Sequence, residues 1–317
     1  MRHIHRTLTL LVLILLQTGR MNAQGDVPID GSGSAYPAAR MVRDPGASAL
    51  AGAGFAAGDN PAWAAFRNAA AVPLSGIQRL DAALCYQSWM PEIDPATNLQ
   101  GGLALRFDHL GLSLGFARQG YGAYDVYNAA GSRTGSFSPS DLQLSLGMGS
   151  MVGDHLSMGV QLSLLSTSLD ASTTYSALSL GLSALWQKDA LSLAAGVSHL
   201  GLSLSPEAGD DFRPPLSLDL GSCYTLPLGE RHSLQGRLDG SVYENGGLSA
   251  CAGLDLALWQ LLDLRAGYRL SDTKAILPSH AAAGLGIRFK GIRLEGSWLF
   301  ASDILKNSWS VGLAYGF

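Results

Sequence analysis

Charge is scarce in this chain, and so are cysteines and long apolar runs. Asp, Glu, Lys and Arg make up 15% of the 317 residues and the formal net charge is -4, so there is no basic footprint for nucleic acid. Cys85, Cys223 and Cys251 are far apart, too few for a disulfide scaffold and without metal-ligand spacing; they read as small buried or lumen-lining thiols. After residue 16 no stretch approaches the ~18 consecutive apolar residues of a transmembrane helix. His109, His155, His199, His232 and His280 fall near expected strand ends or turns, none in a Gly-x-Ser-x-Gly or similar context. Gly52-Ala53-Gly54 has no preceding strand or βαβ unit to make it a nucleotide-binding turn. No catalytic, cofactor-binding or metal-binding residue is therefore expected, and the chain does not read as an enzyme.

What is present is apolar residue without helices to carry it. Hydrophobic residues reach 47% and glycine 39 residues. The first residues read as a cleaved secretory signal over 1–24: a basic start at Arg2, His3, His5 and Arg6, an apolar run from Leu8 to Leu16, and a small-residue site at Asn22-Ala23-Gln24. That run is too short to span a bilayer, and no cysteine follows it to take a lipid.

From residue 75 the chain alternates with a period of two. In the last ten residues Trp309, Val311, Leu313, Tyr315 and Phe317 interleave with Ser308, Ser310, Gly312, Ala314 and Gly316. A strand sends successive side chains to opposite faces, so one face is wholly apolar and the other small or polar. A terminal Phe317 after Tyr315 resembles the signal read by the machinery that inserts barrels into outer membranes. The same pattern recurs in Leu142 to Gly149, Leu156 to Leu164, Leu178 to Trp186 and Ile292 to Phe300. Strands are predicted at 77–89, 99–107, 110–118, 140–149, 155–168, 175–187, 190–202, 214–225, 231–243, 248–258, 261–270, 280–289, 291–301 and 307–317.

The connections sort by length. Tight ones at 108–109, 151–154, 188–189, 259–260 and 290–291, with a slightly longer one at 226–230, alternate with mostly longer ones at 91–98, 119–139, 169–174, 203–213, 271–279 and 302–306; only 244–247 is short among these. Strict alternation over an even number of strands is the layout of a bacterial β-barrel, with tight turns in the periplasm and long loops outside. The expected fold is thus all-β: an antiparallel transmembrane barrel of about 14 strands over 75–317, in the outer membrane of a Gram-negative cell and in contact with its lipid. The longest loop carries Tyr121, Tyr124, Tyr127 and Phe137, either a lid or partner-docking segment or a loop folded over its own aromatics.

With the Leu-rich face toward lipid, Arg237, Asp239, Asp255, Asp263, Arg265, Arg269, Arg288, Arg293 and Glu295 face the lumen. On the lipid side each would cost ~2–4 kcal/mol near the midplane. Their mixed signs read as pairs in a filled lumen rather than a one-sign pore ring. Residues 25–74 do not alternate and are sized for an N-terminal plug, with a short helix after Pro61 that spaces Trp63 and Phe66.

This segment carries a resemblance. Ala51 to Ala57, Asp59, Phe66 and Asn68-Ala69-Ala70 resemble the Gly/Ala-rich motif, acidic residue, aromatic and Asn-Pro-Ala that open the PorV/PorQ family, relatives of FadL-type barrels; here the proline of Asn-Pro-Ala is absent. CYQSWMPEI at 85–93, GSFSPSDLQLSLG with HLSMGVQLSLLSTSLD, and GVSHLGLSLSPEAGDDFRPPLSLDLG also resemble that family's segments, with His199 where asparagine is usual. The resemblance implies a part in type IX protein secretion: binding or shuttling secreted client proteins, or other components of the secretion system, through the loops at 119–139 and 203–213. The alternative, from the FadL relationship, is a transporter of long-chain fatty acids or other hydrophobic small molecules.

Overall fold

The computed structural model describes residues 36–169, 173–205 and 213–317. The expected signal at 1–24, the start of the expected plug and the centres of the loops at 169–174 and 203–213 lie outside them. The first strands are β1 (Leu80–Trp89), β2 (Ala96–Phe107) and β3 (Leu110–Tyr121), followed by a small hairpin of β4 (Tyr124–Tyr127) and β5 (Arg133–Phe137). Then come β6 (Ser140–Met151), β7 (Leu156–Ser168), β8 (Thr174–Lys188), β9 (Leu191–Ser203), β10 (Ser217–Pro227) and β11 (Ser233–Tyr243). The last are β12 (Leu248–Leu258), β13 (Leu262–Ser271), β14 (His280–Phe289), β15 (Ile292–Phe300) and β16 (Trp309–Gly316).

All but β4 and β5 form one closed antiparallel barrel of 14 strands. β16 returns to β1 in a ladder from Asp81↔Gly316 to Ser88↔Trp309, which leaves no sheet edge unpaired at the closure. Tight turns set the register at one end. Trp259 (φ 54) with Gln260 (φ 56), and Lys290 (φ 50) with Gly291 (φ 81), hold left-handed pairs, the geometry that matches strand twist in two-residue hairpins.

The two faces follow the alternation. Along β16, Trp309, Val311, Leu313 and Tyr315 are exposed on the outside while Ser310, Gly312 and Ala314 are buried inside. The same outward row of leucines recurs on β3, β6, β7, β10 and β15. Apolar exposure on that scale is compatible with a lipid surround and not with water. Leu313→Arg is therefore expected to lower barrel stability in lipid by ~2–4 kcal/mol. Ser310→Ala, on the inner face of the same strand, should remove only a hydroxyl contact with Ser297. Urea unfolding in vesicles measures both.

The lumen is occupied by residues 36–75, in four short helical turns: Pro37–Arg40, Pro45–Ser48, Pro61–Phe66 and Ala71–Leu74. The first of these lies at the long-loop end, where Tyr36 and Ala39 pack on Leu165 and Ala177. The last lies near the tight turns, against Gly111 and Gly149. The segment thus descends the length of the barrel before β1 begins. The helix expected after Pro61 is a 3-10 turn, closed by Trp63 N–H to Asn60 O (3.2 Å) and Arg67 N–H to Ala64 O (3.1 Å). Six residues are too few to build an α-helical ladder of their own.

The inward glycines make this possible. A Cβ on Gly102 of β2 would fall on the Ala62 carbonyl. Gly253 and Gly267, paired across β12 and β13, both lie directly against Leu50 of the plug, itself fully buried.

Candidate functional site

Most lumen-facing charges are ion-paired between plug and wall, and the largest connected group is built around one arginine. Arg265 lies at its centre on β13, its side chain 1% exposed. Its Nε donates to Asp255 Oδ2 (2.9 Å), Nη1 to Glu295 Oε1 (2.6 Å) and Nη2 to Asp263 Oδ2 (3.3 Å). Arg237 joins Asp255 (3.3 Å) to plug residue Asp59 (2.7 Å), and Arg288 donates to Asp263 (2.7 Å). Arg293 donates to both oxygens of Asp81 at 2.7 and 2.8 Å, while Asp81 also accepts from Ala62 N–H of the plug (3.0 Å). Asp239 accepts from Gly54 and Phe55 N–H at 2.7 and 2.8 Å. The lumen charges proposed from the alternation lie on the inner face, because their strand neighbours are outward apolar residues or glycine, as at Gly236 and Gly240.

The plug residues singled out in sequence divide. Asp59 is an ion-pair partner, 2.7 Å from Arg237. Asn68 shapes backbone, its Nδ2 donating to Phe55 O (2.8 Å) and its Oδ1 accepting from Ala70 N–H (3.0 Å). Trp63 is buried and Phe66 partly so, with ring centroids 6.3 Å apart. A second plug carboxyl is Asp44. Asn60 Nδ2 bridges it to Glu295 at 2.9 and 3.1 Å.

Toward the long-loop end the plug supplies cations that sequence reasoning missed. Arg40 donates to Ser217 Oγ (2.9 Å) and Asp219 Oδ1 (3.0 Å) and lies 5.2 Å over the Tyr243 ring. Arg43 donates to Gln100 and Gln143 Oε1 at 3.2 and 3.3 Å. Asp219 could have been found, because Leu218 and Leu220 flank it as on any lipid-facing strand; the plug arginines have no periodicity to betray them. Above them, Leu277 and Leu305 of two long loops pack with Ala38 and Met41, and Ala275 and Ile276 cover Tyr243.

The aromatic loop at 119–139 does not fold over its own rings. It forms the β4–β5 hairpin with Tyr124, Val126 and Tyr127 exposed. Tyr121 belongs to β3 and donates to Asp141 Oδ2 (2.7 Å), and Phe137 is half-buried at the hairpin's base. Tyr315 and Phe317 pack ring to ring at 5.9 Å, and Phe317 exchanges backbone hydrogen bonds with Leu80 (3.0 and 3.1 Å), tying the chain's last residue into the closure. Among the described residues no cluster of His, Cys, Asp or Glu could hold a metal, and the three cysteines are unpaired and buried.

Space and wall are unevenly distributed. Beside the plug, cavities of about 10, 20 and 90 Å³ remain. On the outside a groove of about 1110 Å³ crosses the strands from β7 to β13, floored by Ala184, Ala195 and Ala250 and rimmed by Leu182, Leu218 and Leu220. The groove and the 90 Å³ cavity are both lined by Asp219, Leu220 and Ser241, so one strand layer separates them. The wall is also irregular here. His199 takes φ 59 at a register shift between β8 and β9, where Leu180 pairs with Leu200 but Leu182 with Val197. β10 begins opposite Ser198. Beyond that point β9 continues to Ser203 paired, among the described residues, with β8 alone, and buried Pro214 and Pro215 lie beside it. Proline has no N–H to donate, so this stretch is a seam in the barrel.

No family model and no curated protein matches the chain. Solved structures do. The Pseudomonas putida toluene transporter TodX aligns at a TM-score of 0.60 with 14% identity, over 89% of this chain and 97% of that one. The Ralstonia pickettii toluene transporter TbuX aligns at 0.58 with 13% identity, over 86% and 98%. A Pseudomonas aeruginosa FadL homologue aligns at 0.55 with 13% identity, over 87% and 99%. At these identities the likeness establishes a shared fold, that of the FadL-type outer-membrane barrels.

Proposed function

We propose that this protein is a plugged outer-membrane channel through which small hydrophobic molecules cross. The seam between β9 and β10 carries the reading: backbone pairing of the two strands ends at Ser198, and beside that end the apolar groove on the lipid side and the interior cavity share a single strand layer at Asp219 and Leu220. The plug and its ion pairs block an axial aqueous pore, so a solute that prefers lipid would use the wall. The fold shared with structures described as toluene transporters supports this reading over one built on secretion.

A second reading, a PorV/PorQ-type part in type IX secretion with client proteins as partners, is favoured by one observation, the exposed aromatic β4–β5 hairpin. One strain separates the two. In a deletion strain complemented with the wild type or with G201C/P214C, initial uptake of labelled toluene and the surface proteome are measured together. A Cβ at position 201 meets the Pro214 ring, so oxidation should staple the seam. Uptake is expected to fall several-fold on deletion and on oxidation of the double variant, and to recover on reduction, with the surface proteome unchanged. Unchanged uptake with stalled surface proteins would replace the channel by the secretion reading.

A further inference from the structure

The 90 Å³ cavity between plug and wall has a charge left over. Its lining includes Arg40, Arg67 and Arg269 against Asp219 and Asp239, a balance of +1 with His199 neutral and +2 with it charged. Asp219 is fully engaged and Asp239 through one oxygen. Asp219 accepts from Arg40, Ser217 and Ser241. Asp239 Oδ2 accepts from Gly54 and Phe55 N–H and lies 3.8 Å from Arg67, while its Oδ1 is buried against Gly221 of the neighbouring strand without a hydrogen-bond partner among the described residues.

Arg269 has no acid. Its side chain donates to neutral groups alone, Nε to Ala51 O (3.2 Å) and Nη1 to Ser249 Oγ (3.2 Å), and the residue is 7% exposed. Nη2 is without a hydrogen-bond partner among the described residues and lies against Gly52, where a side chain would displace it; Gly52 has φ +94, so glycine is required there for both reasons. A buried guanidinium without a counter-charge is strongly unfavourable, and a cavity of this size admits an ion with a few waters. It is too small for an acyl chain.

We propose that this cavity is a binding site for one small monovalent anion, a halide or a formate-sized carboxylate, held by Arg269 Nη2 between wall and plug. The anion ties Arg269 of β13 to the cationic side of the plug, Arg40 and Arg67, and so pins the plug to the barrel wall. This inference stands independently of what crosses the wall.

Two measurements test it on the full-length protein in detergent. Thermal unfolding is followed at constant ionic strength in sodium gluconate with increasing chloride or formate. A saturable rise in the midpoint with chloride, with formate or with both is expected, and its loss in Arg269→Gln, which keeps a neutral hydrogen-bonding side chain. The arm that saturates at the lower concentration identifies the ion. Crystals soaked in bromide should show an anomalous peak beside Arg269. Equal midpoints in gluconate, chloride and formate, or a peak absent from the cavity with water in its place, would overturn the site. Should the variant fail to fold, the halide dependence of the wild type and the bromide map decide it.

Discussion

Replacing Arg265 with methionine is expected to destabilise the folded barrel by about 3–5 kcal/mol, the largest effect expected of a single lumen substitution. The guanidinium joins carboxylates from three different strands, Asp255 on β12, Asp263 on β13 and Glu295 on β15, and is all but excluded from solvent. Removing it leaves Asp255 with Arg237 and Asp263 with Arg288, but Glu295 loses its only ion-pair partner among the described residues and keeps only the Asn60 amide. The cost arises from that stranded charge rather than from the lost attraction, since an intact buried pair contributes little net stability. Arg265→Lys should recover only part of the loss, because one ammonium cannot match a planar fork aimed at three acceptors. Guanidinium unfolding followed by tryptophan fluorescence measures both variants. A loss below about 1 kcal/mol, the range of exposed pairs, would show that water reaches the network.

Gly267→Val is expected to unseat the plug while leaving the barrel closed. A Cβ at position 267 would stand 2.6 Å from Leu50 Cα and overlap its carbonyl, and Gly253, its cross-strand partner, shares the same seat. The neighbour cannot yield by rotating a side chain, because the clash is with backbone. The outward residues Ala266 and Tyr268 are untouched, so the ladder with β12 and β14 persists. Overpacking of this kind costs ~1–3 kcal/mol when the structure stays put, and the plug, held by polar contacts and not by strand pairing, is the part free to move. In planar bilayers the wild type should be electrically silent and Gly267→Val should pass ions. A silent variant of undiminished stability would mean that the plug accommodates the methyls by a local shift. Val at Gly240, whose Cβ meets only one distant backbone atom, serves as the control.

The barrel was legible in the sequence because lipid imposes a rule that acts residue by residue. A strand between hydrocarbon and a packed lumen must alternate, so Leu142 to Met148 or Trp309 to Tyr315 announce both the strand and its two faces without any knowledge of neighbours. The same rule placed Arg265 and Glu295 inside, and loop lengths revealed the strand pairing. The rule has limits even within the wall: β10 was expected from 214, but Pro214 and Pro215 cannot join a ladder, and pairing starts at Ser217. His199, expected near a strand end, instead makes a bulge within β9.

The plug was legible only as a segment that does not alternate. Its conformation depends on groups distant in the chain, such as Asp239 receiving Gly54 and Phe55, or Asp81 receiving Ala62. No local pattern encodes an irregular chain whose backbone partners lie on other strands. The acid-free state of Arg269, the seam at Pro214 and the glycine seat for Leu50 share that origin. Each is a relation between residues brought together by barrel closure, and alternation fixes only which way a side chain faces, whereas closure decides what it meets.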